Sequence, residues 1–591
     1  MAEYYNPQQE PGSERRLLIV FAITFLVLMV FQPLLTRYLR PAQPAEQQKS
    51  AKESASPGLP AAQAPSTAGP TSSVPDSNAG MPSATAATRQ AEAEAETIVE
   101  NDLYRVVFSN RGGQVKSWVL KHHQDDQGQP LDLVHSAAAE QYGRPLSLWT
   151  YDEALRNQLN SALYVASASG TQQAPAEINF EYAAGGLEVR KTFRFDHSYV
   201  IEVETSVVRN GQYVRAFPAW PAGFGDQHSP AAYASSRLEW QFGETVERLE
   251  PGVVSGGNTL PGPFQWVGVV DQYFAAVFLP QNPSVVNAVT LRHALEVPQN
   301  PNDPNSKKSR VEVLGLAVGS TSGATHLKLF VGPKALDVLQ SIPVAPVAGQ
   351  AGPQDLSKVL DFGKWLGWIA YPLFLWLRWT FHNIVSNWGW AIVVLTFVIN
   401  IVLFPLRLSS MKSAMKMQKL QPQMNAIKEK YKKYSMKDPR RAEMNQEMAA
   451  LFKREGANPA GGCLPLMLQM PFLIAFYSML ANANELRNAS FLWIRDLSSP
   501  DPYYIIPILI VASTYAMQKM TPQAGMDPAQ QKVMSVMMPL MLGVISWTLS
   551  AGLGVYWILG NLMGIAQQQI LNRTSFGQEM RALAAKRARK E

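Results

Sequence analysis

The apolar residues of this 591-residue chain are gathered into a few long runs rather than spread along it. One run, Leu17 to Phe31, lies near the N-terminus, and the others all follow residue 360. About 20 apolar residues at 1.5 Å each match the ~30 Å hydrocarbon core of a bilayer. That placement excludes a simple soluble enzyme. The mean hydropathy of −0.09 conceals it because an average ignores clustering. Charged residues make up only 17% of the chain, against a usual share of about 25%. A single cysteine, Cys463, excludes an internal disulfide framework and a Cys-rich metal site. The eight histidines lack the i,i+4 spacing of a helical metal site, and no Walker loop, HExxH, GxSxG or CxxC is present. No catalytic residue, cofactor or metal is expected.

Arg15 and Arg16 precede the first run, which Pro33–Leu35 extends. A cleaved signal peptide has a shorter apolar region, ~7–15 residues, followed by small residues. Here Leu34, Leu35, Tyr38 and Leu39 stand in their place, so residues 1–40 read as an uncleaved anchor. Residues 41–96 are Ala, Pro, Ser, Gln and Thr without an aromatic residue. Such a segment cannot bury enough apolar surface to offset its ordering entropy, and it reads as a disordered tether.

From residue 97 to about 346 the period changes to two. Leu187–Phe195 and Tyr199–Val207 alternate in character, and strand-like pieces appear at Leu103–Phe108, Val115–Leu120, Gln272–Leu279, Arg310–Leu316 and Thr325–Val331. Turn signals such as Asn110-Arg-Gly-Gly113 separate them, which predicts an all-β sandwich domain. Its charges are of both signs without a basic stripe, so DNA is not an expected partner.

Residues 355 to the end form a membrane unit. The strongest spans are Trp388–Leu406, Cys463–Leu480, Tyr503–Met517, Val533–Leu549 and Leu553–Leu571. Residues 355–386 are different: Trp365, Trp368, Tyr371, Trp376 and Trp379 stand among Lys364, Arg378 and His382, with Pro372 as an expected interruption. Aromatic and cationic residues favour the headgroup level, which predicts an interfacial amphipathic helix and connector. Between Leu406 and Cys463 thirteen lysines and arginines face five acids, which marks a cytoplasmic loop. Counting outward places the β-domain outside and both termini inside, with six spans in all. The loop reads as a helical hairpin, residues 409–455, with Asp438–Pro439 starting its second arm. Its methionines offer a deformable apolar surface suited to lipid headgroups or nascent segments. The basic tail, residues 572–591, suits weak phosphate attraction to ribosomal RNA and equally a plain topology signal.

Several strings carry a family resemblance. They are NPAGGCLPLMLQMPF from Asn458 to Phe472 with Tyr477, Asn387-Trp-Gly-Trp390, Phe404-Pro-Leu406, Leu492-Trp-Ile-Arg-Asp-Leu497, Asp501-Pro-Tyr-Tyr-Ile505, Gln518-Lys-Met520 and Gln567-Gln-Gln569. Asn110-Arg-Gly-Gly113, Gln272-Tyr-Phe-Ala275 and Val331-Gly-Pro333 add to them from the β-region. Together they resemble the YidC branch of the Oxa family of membrane protein insertases, in its Gram-negative form with a large periplasmic domain. The resemblance implies an inner-membrane protein with a five-helix insertase core, residues 387–571, and a periplasmic β-supersandwich. It also implies a groove open to cytoplasm and lipid but closed toward the periplasm. The implied partners are nascent membrane proteins, the Sec translocon, the ribosome and anionic lipids.

The residues themselves support a groove. Thr396, Asn400 and Arg407 lie within about 40° of one line at 3.6 residues per turn, and Trp557, Asn561 and Gln568 repeat the same offsets on the last span. Polar residues inside a bilayer usually face a bundle interior or a wet cavity; ordinary interhelical hydrogen bonding is the alternative. Gln469, Tyr477 and Gln518 would complete the lining. One departure stands out: the family carries a groove arginine at the position of Asn400, and the nearest cation here is Arg407. The implied activity is insertion and folding of membrane proteins without nucleotide hydrolysis. A secondary transporter or channel is disfavoured because the spans show no internal repeat and no buried carboxylate. An outer carbohydrate enzyme on an anchor leaves five further spans unexplained.

Overall fold

The computed structural model describes residues 88–578 except 126–127, 229, 300–304, 347–353, 364–365, 435–437, 457–463, 521–527 and 575–576. The anchor, most of the tether, Cys463 and the last residues of the basic tail lie outside the described residues. The tether's expected end does not hold. Arg89 N–H donates to Ala183 O at 2.9 Å, Ala91 N–H to Leu163 O at 3.0 Å, and a strand begins at Glu96. Backbone pairing to the neighbouring sheet orders residues that composition alone assigned to the linker.

Residues 96–355 build sheets of ten, five and five strands and a small two-stranded one. The period-2 pattern works as its physics requires. Val200–Arg209 pairs with Leu187–Phe195 on one side and Thr325–Pro333 on the other, placing Val203 opposite Phe193 and Leu327. All three side chains are buried. The opposite face of the same strands carries Glu202, Arg194 and Lys328. The longest pairing, Val286–Pro298 with Lys308–Ser320, centres a second sheet that packs against the first. The sandwich expectation therefore describes the architecture; Leu187–Phe195 keeps its expected limits, whereas Gln114–Gln124 and Lys308–Ser320 run four residues past theirs at the C-terminal end.

The Asn110-Arg-Gly-Gly113 turn shows why its residues are needed. Gly112 and Gly113 have φ of +70° and +53°, and a Cβ on Gly112 would lie 2.6 Å from Asn160 O. The turn is pinned from below by Lys191, whose fully buried ammonium donates to Gly112 O at 2.6 Å, Gly113 O at 3.2 Å and Leu146 O at 2.9 Å. Burial pushes its pKa down to about 7, while three carbonyl acceptors favour the charged form.

The C-terminal part is helical: α1 Gly367–Asn383, α2 Trp388–Val402, α3 Phe404–Lys430, α4 Arg440–Arg454, α5 Leu464–Asn482, α6 Ile505–Met520, α7 Pro528–Ser546 and α8 Ala551–Arg573. Helix α8 packs on α2 and α6, α6 on α7, and α1 on α2 and α5. Two expectations change. Pro372 does not interrupt α1, which runs through it. The span expected as Trp388–Leu406 ends at Val402, and α3 departs at 51°. Pro405 has no N–H to give the carbonyl of Ile401, so an α-helix cannot continue unbent there. The hairpin's first arm consequently starts at Phe404, not Ser409. Its two arms meet over Met417, Leu420, Met424 and Leu451, and Asp438 Oδ1 accepts from Arg440 N–H at the start of α4.

Among the described residues no single helix is long and apolar enough to cross a membrane alone; α2 with the start of α3 meets that test as a bent pair. The expected six spans are therefore not counted out by helix length. Large exposed apolar side chains are concentrated on these helices, with Phe397, Val402, Ile508, Leu540, Val544 and Ile570 all at least half exposed. An apolar surface of that extent marks contact with something other than water.

The two parts share one continuous apolar core. The joint is polar at its rim. Across it Gln272 Nε2 donates to Ala481 O at 2.7 Å; on the helical side Asn387 Nδ2 donates to Ser490 O at 2.9 Å and Ala551 N–H to Ser499 O at 2.8 Å, which ties the starts of α2 and α8 to the segment that carries Arg487. Arg378 of α1 pairs with Asp337 and lies 3.8 Å from Glu485. Arg487 lies 3.5 Å from Asp226 and stacks over Tyr273 and Phe274. The N-terminal ends of α2 and α8 thus face the β-domain, and their C-terminal ends point away from it.

Candidate functional site

The sequence-predicted polar residues divide into two groups. At the ends of α2 and α8 far from the β-domain, Asn400 and Arg407 come together. Asn400 is 5% exposed. Its Nδ2 donates back to Thr396 O at 2.8 Å, which turns Oδ1 outward to accept from Arg407 Nη1 at 3.1 Å. Thr396 is fully buried and spends its hydroxyl on Ile392 O at 2.6 Å. Arg407 therefore turns back onto the ends of α2 and α8 rather than away from them. The 51° bend brings this about: helical offsets cannot be carried from Asn400 to Arg407 through Leu403, and the contact comes from tertiary placement of α3.

A residue outside the predicted set completes the cluster. Gln567, 5% exposed on α8, accepts from Arg407 Nη1 at 3.2 Å and donates from Nε2 to Asn400 O at 3.3 Å. It belongs to the Gln567-Gln-Gln569 string, yet it lies about 120° around the helix from Asn561 at 100° per residue. The polar stripe on α8 is thus two faces. Asn561 turns to α6 and donates to Ser513 Oγ at 3.0 Å and Thr514 Oγ1 at 2.9 Å. That is interhelical hydrogen bonding, the plainer of the two readings of a polar span residue.

The remaining candidates scatter. Gln568 is buried, donates to Asn572 Oδ1 at 3.0 Å, and its Oε1 meets no donor. Gln518, partly buried near the end of α6, likewise has an unmet Oε1. Buried acceptors of this kind call for water. Trp557 packs, half-buried, against the apolar core. Gln469 falls within α5, but its side chain is outside the described residues. Tyr477 is 47% exposed and lines a cavity of about 470 Å³ with Asp226, Asp271, Tyr273 and Arg487. It stands at the β-domain end of α5, away from Arg407.

No group of three or more metal-ligating side chains is found among the described residues.

Comparison with known proteins converges on one class. The family model described as "60Kd inner membrane protein" matches residues 380–578, and the one described as "YidC periplasmic domain" matches residues 96–376. The helical part and the β-part are thus each matched by their own model, and the class so defined is a membrane protein insertase of the inner membrane with a periplasmic domain. The membrane protein insertase YidC of Syntrophus aciditrophicus is 30% identical over 574 residues, covering 95% of this chain and 99% of the relative. That of Cupriavidus necator is 34% identical over 525 residues, covering 85% and 87%. That of Nitrosococcus oceani is 37% identical over 404 residues, covering 66% and 67%. The chain belongs to the YidC family, and nascent membrane proteins are its substrates.

Proposed function

We propose that Asn400, Arg407 and Gln567, with Thr396, Gln518 and Gln568, form the wall of a hydrophilic groove that receives the polar flank of a nascent membrane segment. The observation that carries this reading is the turn of Arg407 back onto two neutral carboxamides, Asn400 and Gln567. The two carboxamides fix a cation at this wall, where the flank of an acidic guest would meet it. Polar backbone and side chains of a client otherwise meet hydrocarbon at several kcal/mol per unsatisfied group. The groove lowers that cost while the apolar segment passes into lipid along the exposed faces of the helices. Burial of the client in the bilayer supplies the energy, and nucleotide hydrolysis has no part.

In this reading α2 and α5–α8 form a five-span core, and residues 1–40 add a sixth span. The β-domain lies in the periplasm, α1 lies in the outer interface, and both termini and the α3–α4 hairpin lie in the cytoplasm. Arg407 sits at the cytoplasmic end, which agrees with the thirteen basic residues between Leu406 and Cys463. The hairpin's own apolar seam over Met417, Met424 and Leu451 suits a separate, displaceable element touching lipid headgroups or clients. The Sec translocon and the ribosome are the further partners of this reading, the latter through the basic tail.

Reconstitution of the purified chain in protein-free liposomes tests it. A small client with an acidic translocated segment inserts without nucleotide, and Arg407→Ala lowers its insertion more than that of a neutral-segment client. Asn400→Arg in the Arg407→Ala background restores it. Equal insertion of both clients by Arg407→Ala removes charge from the mechanism, and solute flux without client insertion removes the groove.

A further inference from the structure

The segment joining α5 to α6, residues 483–504, turns sharply at Leu492. Phe491 and Ile494 exchange both backbone hydrogen bonds, at 2.8 and 2.9 Å, so Leu492 and Trp493 form a two-residue turn. Leu492 takes a φ of +54°, which turns of this kind usually assign to glycine, asparagine or aspartate. The turn is held from behind. Phe491 fills the space over Gly389, where a Cβ would lie 2.1 Å from its ring, and Asn387 at the start of α2 donates to Ser490 O. Ile494 and Leu497 are buried. Leu492, by contrast, is 70% exposed, and Arg495 is exposed next to Ile494. A leucine there is unfavourable twice, through its backbone and through its hydration, and folding alone would be better served by glycine. Strain of this kind points to a role outside the fold.

The same end of the helices repeats the pattern. Tyr504, just before α6, also has a left-handed φ, +56°, and an exposed ring, which lies 5.8 Å from the exposed ring of Trp547 just after α7. Tyr503 is exposed as well, and Asp501 fixes the approach to α6 by accepting from Tyr503 N–H at 3.1 Å and Ile506 N–H at 2.8 Å. The opposite ends of α6 and α8 carry Lys519 and Arg573. Tyrosine and tryptophan favour the level of lipid headgroups, exposed leucine favours the acyl boundary beneath them, and a guanidinium matches a lipid phosphate. We infer that the α5–α6 loop is a lipid-binding wedge: Leu492 enters the outer leaflet, Tyr503, Tyr504 and Trp547 lie among the headgroups, and Arg495 meets their phosphates. The wedge sets the depth of α5 and α6 at the end joined to the β-domain. It rests on the reading that places these helices in a bilayer.

Nitroxide labelling of the full chain in phosphatidylcholine–phosphatidylglycerol liposomes tests the wedge. Cys463→Ser removes the native thiol, and Leu492→Cys, Tyr504→Cys, Phe397→Cys and Tyr213→Cys each supply one label site. Collisions with oxygen, which concentrates in lipid, are compared with collisions with a nickel chelate, which stays in water. The label at 492 is expected to favour oxygen, as does the one on the exposed face of α2 at 397. The label at 504 should fall between, and that at 213 in the β-domain should favour nickel. Leu492→Gly separates lipid contact from folding, because glycine suits the left-handed backbone. In detergent it is expected to melt no lower than the parent, while in liposomes it shifts the label at 504 toward nickel. Nickel preference at 492 with oxygen preference at 397 overturns the wedge alone. Nickel preference at both overturns the bilayer reading and the wedge with it. Spin–spin broadening at 492 between two chains would assign Leu492 to a contact between copies, and a lower melting temperature of Leu492→Gly in detergent would assign it to the fold; either result overturns the inference.

Discussion

Arg407 and Lys191 are both cations held by neutral oxygen, and they were legible to different degrees. Arg407 is the cation nearest to Asn400 in the sequence, but its contact depends on a bend that residue offsets do not convey. Gln567 stands off the line through Asn561 and Gln568, and only the packing of α8 on α2 reveals its role. Asn561, expected in the groove, instead spends its donors on Ser513 and Thr514; a helical position gives a direction but not the neighbour it meets. Lys191 alternated in phase with the buried side of its strand, yet nothing local announced three carbonyl acceptors. Lys191→Met should destabilise the β-domain by about 3 kcal/mol, because removing the ammonium leaves buried carbonyls unpaired. Urea unfolding followed by circular dichroism in the sheet region measures this, and a loss near zero would mean that water replaces the ammonium.

Elements were read well where one period dominates and poorly where two helices join. The alternation of Leu187–Phe195 and Val200–Arg209 was plain because one face is apolar and the other charged. The break at Leu403 was not, although Pro405 was in view within the Phe404-Pro-Leu406 string; an apolar run hides a bend because hydropathy carries no angle. Pro405→Ala restores an N–H to the ladder and should straighten the α2–α3 junction, drawing Arg407 away from Gln567. Spin-label distances between α3 and α8 should then change by several ångströms, and insertion of acidic clients should fall. Unchanged distances would place the origin of the bend in the packing around it. The hairpin calls for a different measurement. Its arms hold each other through a small seam, Met417, Leu420, Met424 and Leu451, so its amides should exchange faster than those of α8. Protection equal to that of α8 would show a hairpin locked to the core. Its complete removal, residues 412–454, should abolish insertion in a depletion assay.

At the scale of the molecule, the division into a β-part and a membrane part was legible from composition, whereas the joint between them was not, since Asp226, Asp271 and Arg487 are far apart in sequence. Asp226 and Asp271 lie against each other at the joint, and Asp226 Oδ1 and Asp271 Oδ2 have no hydrogen-bond donor. Burial, and then the charge of Asp271, hold the Asp226 carboxyl well above the usual carboxylate range, with Arg487 opposing them. The joined state thus binds more protons than the separated one, so the joint is firmest at acid pH and weakens as pH rises from the ordinary Asp value toward Asp226's raised one. Melting temperature against pH should slope downward over that window, and Asp226→Asn should flatten it; an unaltered slope would assign the dependence elsewhere. The central claim is that clients occupy the polar wall beside the bend. A photo-crosslinking side chain placed in turn at Thr396, Gln518 and Gln568, and at the outward-facing Phe397 and Ile508 as controls, tests it on a ribosome-stalled client in membranes. Crosslinks from the first three positions as the client's polar flank arrives, with the outward positions reacting only when its apolar segment follows, are the predicted result. Crosslinks from the outward positions alone at every client length would contradict it.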